Sequence, residues 1–285
     1  MEPQEYLSQK KKKLEQALES YLAREDSPVF AAMRYAVLDG GKRFRPLLLL
    51  ASGEHFGATE ELLLPYACAV EFIHNYSLIH DDLPIMDNDE FRRGKPSCHK
   101  KFGEGLALLA GDALLSYAFE VLAEAPYPGN NYHLKEVVIS EIAKTIGPGG
   151  MIAGQWLDIS FNPENKKIAD YQETALKKTA GLIRVSAVSG ARLAGVSQPL
   201  LEAIEKYGHY LGLAFQLRDD LEDLAQDRTD KEVFRPNLAR LLGLESAVQL
   251  LGELLSEAIQ SLKDSDIKSV ILEYFAEQLK FTIEK

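Results

Sequence analysis

The chain has 285 residues, of which 46% are hydrophobic and 26% charged, and its formal net charge is −11. This composition is that of a globular protein with ample apolar material for a large core. The acidic balance argues against nucleic acid as a partner, because no basic stripe is available to neutralise phosphates. Without a linker-like shift in composition, one domain over residues 1–285 is predicted.

The cysteines and the apolar runs exclude further classes. Cys68 and Cys98 form neither a disulfide framework nor a zinc-site spacing. The charged N-terminal segment contains no apolar stretch of the kind found in signal peptides. Unbroken apolar runs such as Leu47 to Ala51 are much shorter than a membrane span. We therefore expect a cytoplasmic protein without a membrane partner.

Apolar residues recur at helical spacing along most of the chain. An early stripe contains Leu14, Leu18 and Leu22, and a later one contains Leu201, Ile204, Leu211 and Phe215. Alternating strand patterns are missing, and helix-breaking residues punctuate the sequence. The breakers lie at Asp39 to Gly41, Pro126 to Asn131, Gly147 to Gly150, and Asn162 to Asn165. The fold class predicted is all-α, a large helical bundle.

The first segment with chemical character is HNYSLIHDDLPIMDNDEFRRGKPSCHK, residues 74–100. Its carboxylates are Asp81, Asp82, Asp87, Asp89 and Glu90. So many acids at the end of an apolar helix repel one another, and a divalent cation removes that cost. Oxygen ligands favour Mg²⁺ or Mn²⁺ over zinc, and an EF-hand starting at Asp87 fails because Arg92 takes the glycine position. The alternative is a solvated acidic helix end.

A second acidic segment, FQLRDDLED, follows a later apolar helix. Its aspartates are Asp219, Asp220 and Asp223, of which the first and last are four residues apart and share a helix face. Two such segments suggest facing walls of one cavity in the bundle. Magnesium bound by few carboxylates takes its other ligands from phosphate and water, so a diphosphate substrate is indicated.

Cationic residues accompany both acidic segments. Lys42 and Arg45 lie beside a glycine turn at a predicted helix start, where arginine forks and free amides bind phosphate. Arg92 and Arg93 follow the first acidic segment directly. His74 lies seven residues before Asp81, on nearly the same helix face. Each feature taken alone would more often be a surface or core residue.

With these residues the sequence resembles the trans-isoprenyl diphosphate synthases, most of all the bacterial farnesyl diphosphate synthase type. The resemblance covers most of the chain. The motifs that carry it are GGKRFRP, HNYSLIHDDLPIMD, RRGKP, GDALL (Gly111 to Leu115), GQWLD (Gly154 to Asp158), KKTAGLI and FQLRDD.

The resemblance implies a role for each matching residue. It assigns isopentenyl diphosphate binding to Lys42, Arg45, His74 and Arg93. It assigns allylic diphosphate contacts to Arg92, Lys178, Thr179 and Gln216. Of three Mg²⁺ ions, two match Asp81 and Asp87 and the third matches Asp219. Asp82, Asp220 and Asp223 belong to the same acidic motifs, in supporting roles, and complete the predicted metal set. The implied catalytic set is Asp81, Asp87, Asp219, Lys178 and Arg92. The family also implies a central cavity and a homodimer.

The implied reaction is physically sensible. Cations stabilise the charge that develops on a departing diphosphate, so an allylic cation forms. The double bond of isopentenyl diphosphate then attacks that cation, and the released diphosphate can take up the proton. A dry apolar cavity protects the cation from water.

Product length is expected to depend on the depth of the cavity below Asp81. Tyr76 lies five residues earlier, about 7 Å along a helix at ~1.5 Å per residue, and Ser77 follows it. By resemblance, an aromatic residue here stops elongation and favours a C15 product over C20. The alternative is that Tyr76 only packs in the bundle.

One segment and one single residue depart from the family pattern. The segment after the second acidic motif is shorter than usual and lacks a clear phosphate-binding lysine, for which Lys231 or Arg235 is a candidate. Ala180 stands where the family has glycine.

Three alternatives to a farnesyl diphosphate synthase remain open. A geranylgeranyl diphosphate synthase differs only in product length. A terpene cyclase needs no site for isopentenyl diphosphate, and the presence of Lys42, Arg45 and His74 argues against it. A noncatalytic synthase subunit would be expected to lose one acidic motif, and both are intact here.

Overall fold

A computed structural model describes residues 2–127, 131–161, 167–225 and 236–281. Within these ranges the chain is helical apart from one short antiparallel hairpin, which confirms the predicted all-α class. The helices of the first half are α1 (Pro3–Leu22), α2 (Pro28–Leu38), α3 (Phe44–His55), α4 (Glu60–Asp81), α5 (Cys98–Phe102), α6 (Glu104–Glu124) and α7 (Tyr132–Ile146). The hairpin between α4 and α5 pairs β1 (Phe91–Arg92) with β2 (Lys95–Pro96).

The second half contains a π-helix as well as α-helices. Its elements are α8 (Met151–Ile159), α9 (Ile168–Ala175), the π-helix (Leu176–Ala180), α10 (Gly181–Leu193), α11 (Gln198–Ala225), α12 (Leu238–Leu242), α13 (Leu244–Lys263) and α14 (Val270–Glu277). The π-helix joins α9 to α10 without a break. Such segments are rare in proteins, and those that do occur often lie at functional sites.

The predicted breakers lie between helices wherever they fall in the described ranges. Helix α2 ends just before Asp39 to Gly41, α7 begins after Asn131, and Gly147 to Gly150 separate α7 from α8. Asn162 to Asn165 lie outside the described residues. The agreement follows from the capping and turn preferences of these residue types.

The core forms where α3, α4, α10 and α11 pack together, with α6 against α4 and α13 against α11. Leu47 to Leu50 of α3 are buried on consecutive positions, so this helix is enclosed on all sides. Gly190 of α10 faces the backbone of α3, and a methyl group there would collide with the carbonyl of Leu49. One apolar cluster of the described residues extends from Leu14 to Leu279.

Helices α4 and α6 are long and apolar enough to span a membrane by length and composition. The short length of the unbroken apolar runs therefore does not by itself exclude a membrane span. The apolar window of α4 is 67% buried inside the protein and that of α6 is 44% buried. Both helices pack against each other in the bundle, which accounts for the apolar character of α4 without a membrane.

Candidate active site

A cavity of about 670 Å³ opens between the C-terminal end of α4, the hairpin, the π-helix and α11. Both acidic segments reach it. Asp81 and Asp87 line one wall, and Asp219, Asp220 and Asp223 line the wall formed by α11. The structure therefore brings together, from distant parts of the chain, all but one of the residues in the predicted metal set.

Asp87 reaches the cavity because the chain folds back after α4. The amide of Asp87 donates to the carbonyl of Asp81 at 2.9 Å, and the amide of Asn88 donates to that of Leu83 at 3.0 Å. Asn88 has a left-handed backbone with φ of 52°, a conformation that asparagine tolerates better than most residues. The turn places the Asp87 charge near Asp81, where it helps to raise the pKa of Asp81.

The aspartates in the cavity carry perturbed pKa values. Burial, together with Asp87 and Asp158, raises the pKa of Asp81 to about 7, against the lowering effect of Lys178 and Arg92. Burial and then Glu222 raise the pKa of Asp219 to about 6. A carboxylate that is largely removed from water and has a raised pKa lacks enough positive charge around it, so both walls of the cavity attract a cation.

Asp82 is the exception among the predicted metal ligands. Its side chain is buried, does not line the cavity, and accepts hydrogen bonds from Arg92, with Nε to Oδ1 at 3.0 Å. Arg92 also donates to Asp89 at 3.1 Å and does line the cavity. The geometry of Asp82 is therefore that of a residue that orients Arg92, in line with the supporting role considered from the sequence.

Asp220 connects the second acidic segment to the π-helix and to the start of α12. Its Oδ1 accepts from Gln216 Nε2 at 2.9 Å, and Gln216 Oε1 accepts from the Thr179 hydroxyl at 2.6 Å. Its Oδ2 accepts from the amide of Leu238 at 2.8 Å, and its carbonyl accepts from Asn237 at 3.0 Å. Burial raises the pKa of Asp220 to about 7. Asp220 thus orders Gln216 as well as lining the cavity.

Lys178 enters the cavity from the π-helix. Its ammonium donates to Asp158 Oδ2 at 2.5 Å. Burial acts to lower the pKa of Lys178, but Asp81, Asp158 and Asp87 outweigh it and the pKa is raised. Gly154 of α8 lies so close that an added Cβ would be 2.7 Å from the Cα of Lys178. Asp158 was missed as a site residue, although it ends the GQWLD motif that carried the resemblance.

The predicted isopentenyl diphosphate residues form a cationic layer beside the cavity. Lys42 and Arg45 both lower the pKa of Asp219, so they lie near that wall. His74 has its pKa lowered by burial, and then by Arg45 and Arg93. Arg93 lines the cavity and donates to the carbonyl of Gly40 at 2.8 Å. Lys42, Arg45 and His74 do not line it in this conformation.

A buried ion pair that was not foreseen supports this layer. Arg43 and Glu71 are each about 1% exposed, and Arg43 Nη1 donates to Glu71 Oε1 at 2.6 Å. Arg43 also donates to the carbonyl of Val37 at 2.6 Å and has a left-handed φ of 53°. The pair attaches the loop before α3 to α4, and so fixes Lys42 and Arg45 on either side.

Tyr76 and Ser77 lie outside the cavity lining, which on α4 ends at Leu78. Tyr76 is buried, and its hydroxyl lies 3.8 Å from the sulfur of Met151 in α8. The Ser77 hydroxyl donates to the carbonyl of His74 at 2.9 Å. The assignment of these residues to product length stays a prediction.

The other departures noted in the sequence have separate outcomes. Ala180 is buried against Gly212 of α11. A Cβ added to Gly212 would collide with the Cβ of Ala180, so the methyl group of Ala180 fits here because Gly212 has no side chain. Lys231 and Arg235 lie outside the described residues. The structure resumes at Pro236 and Asn237, which line the cavity.

The acids in the cavity do not form a metal cage by themselves. Over the described ranges, no group of three or more His, Cys, Asp or Glu side chains has the geometry to hold a metal ion. Carboxylates from two separated walls instead face a shared space. This arrangement fits Mg²⁺, which is bound through one or two carboxylates and completes its octahedron with water and substrate phosphate.

Comparison with known proteins agrees with this architecture. The family model described as polyprenyl synthetase matches residues 27–234. The chain is 37% identical to a farnesyl diphosphate synthase of Geobacillus stearothermophilus over 96% of both chains. It is 41% identical to a chloroplastic heterodimeric geranylgeranyl pyrophosphate synthase large subunit of Arabidopsis thaliana, over 93% of this chain and 75% of that one. A crystal structure of an FPP/GFPP synthase from Zymomonas mobilis superposes with a TM-score of 0.87 at 32% identity, covering 97% of this chain and 98% of that one.

A helical bundle that presents two aspartate-rich segments to one cavity defines the isoprenoid synthase class of fold. Within that class, the chain belongs to the polyprenyl synthetase family.

Proposed function

We propose that the protein is a short-chain trans-prenyltransferase that condenses isopentenyl diphosphate with dimethylallyl or geranyl diphosphate to give farnesyl diphosphate. The observation that carries the proposal is the single cavity in which Asp81 and Asp219, both with raised pKa values, lie with Lys178 and Arg92. Carboxylates that need a cation, beside a lysine and an arginine that can donate to phosphate oxygens, match a metal diphosphate. The farnesyl diphosphate synthases among the relatives support the same reading.

The carboxylates of the two walls are the residues that would hold Mg²⁺. Asp81 and Asp87 are the ligands proposed on one wall and Asp219 on the other, with Asp223 next to it and three ions as the number proposed. When bound, Mg²⁺ supplies neutralisation of the charge on the leaving diphosphate. Mn²⁺ has the same ligand preference and would be accepted. Asp82 acts on Arg92 instead of directly on metal, whereas Asp220 lines the cavity and also orders Gln216.

The residues of the π-helix hold the leaving diphosphate. Lys178 is fixed by Asp158 and stays protonated, so it donates to an oxygen that gains negative charge as the allylic C–O bond breaks. The Thr179 hydroxyl and the Gln216 amide form one hydrogen-bonded chain with Asp220, which pre-orients both groups. Arg92 approaches the same space from the hairpin.

The cationic layer holds isopentenyl diphosphate. Lys42, Arg45 and Arg93 carry the charge, and His74 stays neutral because burial, and then the surrounding arginines, lower its pKa. A neutral imidazole can donate one hydrogen bond to a phosphate oxygen without adding repulsion to the layer. The new carbon–carbon bond forms between the two sites, and the released diphosphate takes up the proton.

The product proposed is C15 because Tyr76 fills the space under the cavity. The Tyr76 ring is buried against Met151, so a growing chain that extends along α4 meets it. A geranylgeranyl diphosphate synthase is the second candidate, since relatives of that kind are equally similar. Replacing Tyr76 with alanine is expected to shift the product from C15 to C20, and an unchanged product would contradict the assignment.

A homodimer and a cytoplasmic location complete the proposal. Helix α6 exposes Leu108 and Leu109 on its surface, at 46% and 55% of their full area. A second copy of the chain would bury such an apolar face. Mass measurement in solution at several protein concentrations tests it, and a monomer at micromolar concentration would contradict it.

The direct test of activity uses the purified protein with Mg²⁺ and the two substrates. Asp81→Ala and Asp219→Ala are expected to lose nearly all turnover while remaining folded. Normal rates in either variant would refute the metal assignment.

A further inference from the structure

Gly111 of α6 and His80 of α4 are in direct contact. A Cβ placed on Gly111 would collide with the Nε2 and Cδ2 atoms of His80, far inside van der Waals distance. A glycine in the middle of a helix lowers stability relative to alanine. Here the imidazole ring of His80 occupies the space next to Gly111 that a side chain would fill. Any other residue at position 111 would keep the ring farther from α6.

The imidazole of His80 is fixed in this position by a hydrogen bond. Its Nε2 lies 3.1 Å from the carbonyl oxygen of Leu108, so Nε2–H is the donor. Asp112 Oδ1 lies 3.7 Å from the same nitrogen. The contact with Gly111 and this bond leave the ring little freedom to rotate.

The fixed ring in turn contacts Tyr76, one helical turn earlier. The Tyr76 and His80 ring centroids are 5.8 Å apart with an interplanar angle of 80°, an edge-to-face contact. The Tyr76 hydroxyl meets the Met151 sulfur on its other side. Tyr76 is thus held between α8 and a histidine that is itself held by α6.

We propose that His80 and Gly111 are positioning residues for product length, which act by holding the Tyr76 ring across the path of the growing chain. The inference rests on the proposed function, because it needs an elongation reaction that stops at Tyr76. It adds that the stop depends on α6. A tyrosine at position 76 limits elongation only while its χ1 and χ2 angles are restrained from the side of His80.

The physical reason lies in the bonds about which the Tyr76 side chain rotates. Without a neighbour on the His80 side, the ring can turn towards α6 and leave a gap below the cavity. An edge-to-face ring contact contributes about 1 kcal/mol beyond apolar burial. Its loss changes the population of the blocking orientation by about fivefold.

The test measures the ratio of C20 to C15 product in four variants. His80→Ala removes the ring, and Gly111→Ala displaces it, so both are expected to raise the ratio by about fivefold or more. His80→Phe retains a ring edge against Tyr76 and removes the hydrogen bond to Leu108, and it is expected to stay closer to the original ratio. Gly252→Ala is the matched control, because a Cβ on Gly252 of α13 meets nothing within 4 Å.

A double variant separates positioning from a general structural effect. If His80 acts through Tyr76, then Tyr76→Ala with His80→Ala gives the same product ratio as Tyr76→Ala alone. An unchanged ratio in His80→Ala, with longer products from Tyr76→Ala, would overturn this inference and leave the proposed function intact. Unchanged products from Tyr76→Ala itself would refute the Tyr76 stop and this inference with it. A lower melting temperature without a change in ratio would show that His80 only stabilises the fold.

Discussion

Replacing Asp81 with asparagine is expected to change stability and activity in opposite directions. The substitution keeps the shape of the side chain and removes its charge. In the metal-free protein the partly buried carboxylate of Asp81 lacks sufficient compensation, since its pKa is about 7 instead of the usual 3.8. A neutral amide at this position would remove the cost of keeping that charge in the cavity.

The magnitude follows from the pKa of Asp81. A rise of about three pKa units corresponds to about 4 kcal/mol of lost stability once the group is ionised in both states. Because the folded-state pKa is the higher one, the folded protein binds the extra proton. The penalty is therefore small near pH 4, grows as the pH rises to 7, and is complete above it. The substitution should then gain up to about 4 kcal/mol at pH 8 and about 2 kcal/mol at pH 5.

Thermal or denaturant unfolding in the presence of a chelator measures the gain. Glu257→Gln is the matched control, because it removes one negative charge from an exposed position on α13 and is expected to change stability by less than about 0.5 kcal/mol. In assays with Mg²⁺, Asp81→Asn should lose activity by on the order of a thousandfold. An unchanged or lower stability at pH 8 would refute the account of Asp81 as an uncompensated charge.

Three further predictions concern the layers around the cavity. Glu71→Gln leaves Arg43 with no buried counter-ion, so the free energy of unfolding should fall by about 3–5 kcal/mol. KM for isopentenyl diphosphate should also rise more than kcat falls, and an unchanged KM would contradict the proposed role of the pair. Gly154→Ala pushes the π-helix away from α8 and should lower kcat by about tenfold or more, whereas Gly252→Ala should not; equal rates in both would contradict the close packing at Lys178. Removing Mg²⁺ with a chelator should abolish turnover, and Mg²⁺ or Mn²⁺ should restore it while Ca²⁺ should restore little, because Ca²⁺ prefers longer bonds and more ligands; full activity with Ca²⁺ would contradict the ligand set.

The sequence was sufficient for the features that depend on local pattern. The helical spacing of apolar residues and the positions of helix breakers predict most helix ends, because a helix end depends on the few residues around it. The same spacing places Asp219 and Asp223 on one face of α11. That the two acidic segments face one cavity followed from the burial expected for the helices that carry them.

Features that depend on contacts between distant residues could not be predicted in this way. The π-helix has no sequence pattern of its own, since it differs from an α-helix only in its hydrogen-bond spacing. The Arg43–Glu71 pair joins residues that are 28 apart, and neither reads as buried in the sequence. The separation of Asp82 from the other aspartates depends on the hairpin that brings Arg92 onto it. Position along the chain placed Asp82 in the same predicted metal set as Asp81.

The central claim is that this cavity makes a C15 product from isopentenyl diphosphate and an allylic diphosphate. Product analysis with labelled isopentenyl diphosphate, Mg²⁺ and dimethylallyl, geranyl or farnesyl diphosphate in separate reactions tests it most directly. The account predicts a C15 product from the first two partners and no extension of farnesyl diphosphate. Products of C20 or longer would contradict the Tyr76 stop, and no condensation with any partner would contradict the proposed activity.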